Sequence, residues 1–431
     1  MTKSSCDVAV IGGGPAGATA AMYLRQKGYD TVVVEKQRFP RFHVGESLLP
    51  ENLALFDELG IHEEIKNRGY PKKWGAEFVS QCGDHVRKFY FRDQLLSGES
   101  MAYQVLRSDF DQLLLERARE MGADVRERTV VTAVAPHADG FEVTTTDEGA
   151  RTYPLRAGVV VDASGQDTFL STRLGLKRID DAGRFAVFTH FRDVDRDEGE
   201  DAGNIRIIPF GDGHWFWVIP LGDRLTSVGA VVTKDVIRRN RDNIEAYFST
   251  LVDNTEALRS RMPNASQVQP VRTVADFAYE SSRYVGDRFV LVGDAAAFLD
   301  PVFSSGVLMA MSSARAAANA IDAAFQANDF SARALCSYER EHRRKIKTVF
   351  RLIRAYYRPS FLQMFMNPSN TLELKSAVTT ILAGAAGSHP LRLRWRLELF
   401  YLIGALRGHL QSNRVRNAAC SHGCSLHSRS A

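Results

Sequence analysis

Three glycines and one acid near the start of the chain have the types and spacing needed to hold a dinucleotide. Gly12, Gly14 and Gly17 follow an apolar run that ends at Ile11, and Glu35 ends the next apolar run. Gly12 permits a tight turn, Gly14 lets the backbone approach a pyrophosphate, and Gly17 lets a helix pack closely on a strand. The following helix supplies free N–H groups, and Glu35 can accept hydrogen bonds from ribose hydroxyls. The pattern predicts a dinucleotide whose ribose has a free 2′-hydroxyl.

Later segments place polar side chains at the ends of predicted strands or in a helix. Asp162 closes a buried strand just before a glycine turn, and Gly293 with Asp294 closes another. Asp294 could accept hydrogen bonds from the hydroxyls of a cofactor, or it could be an ordinary acid at a strand end. Arg107 lies in a helical segment that precedes both. We interpret these segments as the rest of a cofactor-binding domain that an inserted sheet interrupts.

The elements that must position these residues divide the chain into regions of different hydrophobic period. Buried strands and helices predict α/β structure, alternating strands predict a mainly antiparallel sheet, and the end of the chain reads as helix. The expected regions are a nucleotide-binding domain at 1–175 with inserted strands at about 77–100, a substrate-domain sheet at 176–272, completion of the first domain at 273–325, and a helical region at 326–431 whose tail, about 412–431, is disordered.

Composition excludes several other classes of protein. The 431 residues are 45% apolar and carry a formal charge of only +4, so nothing points to nucleic acid. No apolar run approaches the roughly 18 residues of a membrane span, and there is no signal peptide. Five scattered cysteines suit a reducing cytoplasm, where we expect the protein to reside.

Two features near the end of the chain have alternative interpretations. Cys420, His422, Cys424 and His427 could bind a metal, but the surrounding serines and arginines favour a frayed tail. Late arginines could form a docking face, although a solvated helix face is favoured; they are Arg392, Arg394, Arg396, Arg407, Arg414 and Arg416.

The three separated pieces together resemble FAD-dependent monooxygenases of the para-hydroxybenzoate-hydroxylase fold. The resemblance implies a Rossmann-like FAD-binding domain with an inserted, mainly antiparallel substrate-domain sheet and a helical C-terminal region. The residues it places at the cofactor are Gly12, Gly14, Pro15, Ala16, Gly17, Glu35, Lys36, Gly45, Glu46, Ser47, Arg107, Asp162, Gly293, Asp294 and Pro301. Since there is no second GxGxxG motif, we expect a separate flavin reductase to supply the reduced flavin.

The segment from Trp215 to Pro220 narrows the resemblance to one group of enzymes within this fold. It matches the Trp-x-Trp-x-Ile-Pro pattern of flavin-dependent halogenases, where the motif is thought to keep the substrate away from the flavin. The indoles of Trp215 and Trp217 on one strand face could fill that steric role. Two tryptophans two residues apart are also ordinary in a half-buried strand.

A lysine pair adds a second match. Halogenases carry an essential lysine in a Phe-Pro-x-Lys-x-Gly context, which Tyr70-Pro-Lys-Lys73-Trp-Gly75 resembles. The resemblance implies that Lys73 is catalytic. One alternative is that the neighbouring Lys72 has this role, and another is that the two lysines are a solvated surface pair without a catalytic role. An ammonium can hydrogen-bond hypohalous acid, a neutral amine could form a haloamine, and the pKa of lysine responds to burial.

The turn before the long helix also resembles halogenases. There, backbone N–H groups matched by Ser305 and Gly306 bind halide, and a serine matched by Ser304 lies near the lysine. A helix N-terminus suits chloride. Phe303 stands where tryptophan halogenases have Glu, as in the carrier-protein and phenol halogenases, so no mechanism that uses this Glu as a base carries over.

The resemblance, which covers about residues 5–325, predicts an FADH2-dependent halogenase without a metal. Reduced FAD and O2 would form a C4a-hydroperoxide, chloride or bromide would attack it, and Lys73 would direct the hypohalous acid onto an electron-rich aromatic ring. Such rings are often tethered to an acyl- or peptidyl-carrier protein. The alternatives are a non-halogenating monooxygenase, a geranylgeranyl-reductase-like oxidoreductase, and a binding or scaffold protein with a vestigial nucleotide site.

Overall fold

The fold was analysed in a computed structural model that describes residues 3–179, 183–275, 278–298, 300–387 and 389–423, with backbone only at 241 and 411–423. The strands are β1 Ser5–Ile11, β2 Thr31–Val34, β3 Lys72–Lys73, β4 Gly75–Val79, β5 Val86–Tyr90, β6 Ala102–Tyr103, β7 Asp124–Arg126, β8 Val130–His137, β9 Gly140–Thr146, β10 Thr152–Asp162, β11 Lys177–Ile179, β12 Arg184–Arg192, β13 Ile205–Phe210, β14 His214–Leu221, β15 Leu225–Thr233, β16 Ser266–Gln267, β17 Arg272–Ala275, β18 Tyr279–Ser281, β19 Val285–Gly286, β20 Phe289–Leu291 and β21 Ala297–Phe298. The α-helices are α1 Pro15–Gln26, α2 Glu51–Leu59, α3 His62–Asn67, α4 Arg107–Glu120, α5 Phe169–Arg173, α6 Lys234–Arg239, α7 Ile244–Asp253, α8 Glu256–Arg259, α9 Gly306–Ala327, α10 Ala332–Tyr356, α11 Pro359–Met366, α12 Leu374–Leu382 and α13 Leu391–Gly423.

The first sheet has the parallel centre that its apolar runs predict. β1 lies between β2 and β10, β7 pairs with β2, and β20 pairs with β10, all in parallel. Val8, Val10 and Val160 have no exposed surface, as expected for strands covered on both faces. α1 packs against this sheet and against α9. The prediction of a Rossmann-like FAD-binding fold is confirmed.

The second sheet is mainly antiparallel, as predicted, and draws strands from two parts of the chain. Its order is β16-β12-β15-β14-β13-β4-β5, and β4 joins β13 in parallel. A Cβ at Gly229 of β15 would lie 2.2 Å from the ring of Trp217, so this position requires glycine. This glycine lets the indole of Trp217 lie flat on the neighbouring strand.

The C-terminal region consists of α10 to α13. α13 continues to Gly423, beyond the expected start of a disordered tail at about 412, since no proline interrupts it after Pro390. Residues 424–431 lie outside the described residues, and with them Cys424 and His427. No helix within the described part of the chain is long and apolar enough to cross a membrane.

Candidate active site

A cavity of about 480 Å³ runs between the parallel sheet, the second sheet and the start of α9. It gathers most of the residues that the sequence singles out. Those on its wall are Gly12, Gly14, Pro15, Ala16, Glu35, Lys36, Gly45, Glu46, Ser47, Arg107, Trp215, Trp217, Asp294, Pro301, Ser304 and Gly306. Lys73, Gly17, Asp162, Gly293 and Ser305 are not on the wall.

The glycine turn at one end of the cavity has the close contacts that its motif requires. A Cβ on Gly12, whose φ is +100°, would lie 2.5 Å from the Ala163 carbonyl oxygen, and one on Gly17 would lie 1.8 Å from the Gly12 oxygen. Gly17 therefore packs the turn and does not line the cavity. The Glu35 carboxylate accepts a 2.7 Å hydrogen bond from the Gly13 N–H while lying on the cavity wall. The turn is shaped to admit a pyrophosphate and ribose.

Asp162 has a position different from the one predicted. Its Oδ1 accepts a hydrogen bond from the Ser164 N–H at 3.0 Å, and its Oδ2 accepts one from the Leu170 N–H at 2.7 Å. With both oxygens used and no exposed surface, Asp162 holds the turn behind the cavity instead of reaching a ligand. Lys36 is exposed and pairs with Asp167 on the rim.

The Asp294 carboxylate faces the cavity, and the Arg107 side chain also lies on the cavity wall. Within the described residues no hydrogen bond reaches the Asp294 carboxylate, and its burial, opposed by Arg107, raises its pKa to about 7. Gly293, with φ +58°, makes the turn that presents it. Arg107 donates to both Asp111 oxygens at 2.7 and 2.9 Å and to the Val44 carbonyl oxygen at 2.7 Å. A buried acceptor without a donor suits the hydroxyl groups of a ribityl chain.

Lys73 lies behind the cavity wall and is 1% exposed. Its Nζ donates to Ser47 Oγ and to the Leu48 carbonyl oxygen, each at 2.9 Å, and lies 5.3 Å from the centre of the Phe91 ring. Burial lowers the pKa of Lys73 to about 7. Ser47 lines the cavity, so one hydroxyl connects the amine to it. Lys72, by contrast, is exposed.

The two tryptophans of β14 form one wall of the cavity, with ring centres 6.0 Å apart. Trp217 Nε1 donates to Ser227 Oγ at 3.1 Å. Trp215 Nε1 donates to Tyr357 Oη at 2.8 Å, and Tyr357 Oη donates to Asp300 Oδ2 at 2.6 Å. Trp215 is therefore tied to the turn that precedes α9. Sequence reasoning missed Tyr357 and the role of Asp300, because no motif marks a tyrosine 142 residues from its partner.

The turn from Asp300 to Gly306 brings backbone groups to the cavity at the start of α9. Ser304 has a left-handed backbone with φ +57° and lies on the wall, whereas Ser305, which caps α9, is buried beside it. The 22-residue helix α9 directs its N-terminus at this end of the cavity. Phe303 turns away and packs on Tyr356 and Phe365. A small anion would be stabilised here.

A buried acid and histidine on the cavity side are a further pair that the motifs did not reveal. His190 Nε2 of β12 lies 2.9 Å from Glu46 Oε1, and both residues are 1% exposed. The remaining atoms, Glu46 Oε2 and His190 Nδ1, have no partner in the described part of the chain. Glu46 was predicted from its loop, but nothing in the sequence of β12 marks His190.

Comparison with known proteins agrees with this geometry. An FAD binding domain model matches residues 5–352. The 1H-pyrrole-2-carbonyl-(peptidyl-carrier protein) chlorinase of Pseudomonas fluorescens is 35% identical over 84% of this chain and 86% of its own. Two solved structures are a flavoprotein/dehydrogenase from Cytophaga hutchinsonii (29% identity, 95% and 100% coverage, TM-score 0.86) and the flavin-dependent brominase Bmp2 (28%, 96% and 100%, TM-score 0.82).

Proposed function

The chain belongs to the flavin-dependent halogenases, whose FAD-binding domain it shares, and we propose that it halogenates an electron-rich aromatic ring presented by a carrier protein. It is an FAD-dependent oxidoreductase, and relatives with this fold are chlorinases and brominases. The Pseudomonas relative acts on a pyrrole acyl group joined to a peptidyl-carrier protein. That name supports an aromatic thioester as the substrate here, with chloride or bromide as the halide.

The observation that carries the proposal is the Lys73–Ser47 hydrogen bond beside the tryptophan wall. A lysine buried without an acidic partner destabilises the fold, because desolvation disfavours its charge. Its amine nevertheless lies one hydroxyl from the cavity, and among the described residues no carboxylate forms an ion pair with it. This arrangement suits an amine that binds or directs a reactive, neutral molecule.

The residues on the cavity wall have separable roles in the proposal. FAD, when bound in its reduced form, would give two electrons to O2, and oxygen at the peroxide level would oxidise halide to hypohalous acid. The glycine turn at Gly12 and the Asp294 carboxylate would hold the dinucleotide, and the N–H groups at Ser305 and Gly306 would hold the halide. Trp215 and Trp217 would keep the organic substrate away from the flavin end of the cavity. Ser47 and Lys73 would receive the hypohalous acid and direct it to the ring.

The same proposal includes a partner, a location and a division into domains. A flavin reductase would supply reduced FAD, since the described chain has one dinucleotide turn. A cytoplasmic location and domain boundaries near residues 175, 272 and 325 remain predictions.

Identification of the product tests the proposal. The protein would be incubated with a flavin reductase, NADH, FAD, chloride or bromide, and the pyrrole acyl group on its carrier or as a free acid. Mass spectrometry should show replacement of a ring hydrogen by halogen. Hydroxylated product, or dehydrogenation independent of halide as for a dehydrogenase of this fold, would overturn it.

A further inference from the structure

One face of α10 carries an unbroken row of exposed cations. The five cations of the row that lie on α10 are spaced four, three, four and three residues apart, which keeps them on one side of the helix over about 21 Å. They are Arg340, Arg344, Lys347, Arg351 and Arg354, and Arg358 follows two residues after the end of α10. Like charges at this spacing repel one another, so the row favours a partner of opposite charge. Glu398 of α13 pairs with Arg351.

An apolar row runs beside the cations along the outer face of α13. Trp395, Leu402, Leu406 and Leu410 are 40%, 56%, 55% and 62% exposed and lie one or two helical turns apart. A groove of about 610 Å³ between α10 and α13 is lined by Lys347, Arg351, Arg354 and Arg358 and, from the apolar row, by Leu402. Exposed apolar side chains in line with a groove are typical of a surface that binds a helix.

The same helix connects this surface to the active site. α10 ends at Tyr356, and the next residue, Tyr357, donates to Asp300 and accepts from Trp215 of the cavity wall. The basic row ends at Arg358. A hydrogen bond from Trp215 to Tyr357 therefore joins the tryptophan wall of the cavity to the end of the basic row.

We propose that the basic row of α10 and the apolar row of α13 together dock an acidic carrier protein that presents the aromatic acyl group. The inference rests on the proposed function, from which the carrier is taken. A second copy of this chain is a poorer occupant, because a two-fold axis would set the basic row against itself. Nucleic acid is also poorer, because the leucines of α13 offer neither charge nor aromatic stacking to it.

Paired variants test the surface with a peptidyl-carrier protein loaded with the 1H-pyrrole-2-carbonyl group. Arg344→Glu combined with Lys347→Glu should raise the KM for this substrate about tenfold or more, with kcat within about twofold, and weaken its salt dependence. Leu406→Ser, which leaves the charge unchanged, should also raise KM. The control, Arg238→Glu with Arg239→Glu, reverses two exposed charges on α6 and should leave KM unchanged.

Binding of the carrier without its phosphopantetheine arm, measured by calorimetry, separates the surface from the chemistry. The wild type should bind it, the α10 pair should lose binding, and the α6 pair should retain it. The docking surface would be overturned if both pairs lost binding equally or if the α10 pair bound the carrier like the wild type. It would also be overturned if duplex DNA displaced the carrier from the wild type. A wild type that binds the carrier but yields no halogenated product would instead overturn the proposed function.

Discussion

The Nζ atom of Lys73 lies 2.9 Å from Oγ of Ser47, which joins a lysine outside the large cavity to a residue on its wall. The amine uses Ser47 as an acceptor, so the serine O–H can donate into the cavity. A molecule in the cavity can therefore accept a hydrogen bond from Ser47, and so be linked to Lys73, while the amine keeps its position.

Replacement of Ser47 should impair halogenation more than it impairs the flavin. Ser47→Ala removes the hydroxyl that joins Lys73 to the cavity, and we expect the halogenation rate to fall about tenfold or more. Peroxide release from reduced flavin should continue. Rates of both products, measured in the same assay, check this. Ser47→Thr keeps the hydroxyl and should retain most of the activity; an Ala variant as active as the wild type would contradict the expectation.

The lowered pKa of Lys73 predicts how stability depends on pH. Its pKa falls from 10.5 in a free side chain to about 7 in the fold, so between these values the unfolded chain binds more protons than the folded one. This contribution to stability is complete above the unfolded pKa and is lost as pH falls to about 7. Lys73→Met should therefore gain stability relative to the wild type as pH falls from about 10 to about 7, by a few kcal/mol.

Denaturant unfolding of both proteins at several pH values gives that difference, and the titration of other groups cancels from it. A difference in the free energy of unfolding that stays constant across this range would show that Lys73 titrates normally.

The Trp215–Tyr357–Asp300 chain predicts an asymmetry between two adjacent tyrosines. Tyr357→Phe leaves the Trp215 N–H and the Asp300 carboxylate buried without their partner, which should cost about 1–3 kcal/mol of stability. The Tyr356 hydroxyl is buried and has no partner in the described part of the chain, so Tyr356→Phe removes an unsatisfied polar group and should leave stability unchanged or raise it. Chemical denaturation distinguishes the two; similar losses in both variants would mean that the hydrogen-bonded chain stabilises little.

The parts of the site that the sequence predicted are those fixed by local backbone geometry. Gly17 is required by the contact of a Cβ with Gly12 of the same strand–turn–helix unit, Gly12 by its own φ of +100°, and Asp294 follows its own glycine turn. Asp162 could not be placed from its type alone, because a strand-end acid can also accept hydrogen bonds from the turn that follows it, as both Asp162 oxygens do.

The parts that could not be predicted depend on packing between distant segments. The burial of Lys73 results from the pairing of β3 with β6 and from the loop that carries Ser47, and neither contact leaves a periodic signal. His190 and Tyr357 reach their partners across 144 and 142 residues. Similarly, the exposed cations of α10 and the exposed apolar residues of α13 belong to separate helices, and no pattern in the sequence shows that the two lie on either side of one groove.

The most direct test of the account compares two neighbouring lysines. Lys73→Met removes the buried amine but preserves an unbranched side chain, and Lys72→Met removes the exposed one. Halogenated product would be measured by mass spectrometry, with FAD binding and NADH-driven O2 consumption measured in parallel. The account predicts that Lys73→Met abolishes halogenation while binding FAD and consuming O2, and that Lys72→Met halogenates like the wild type. Halogenation by Lys73→Met at the wild-type rate would contradict it.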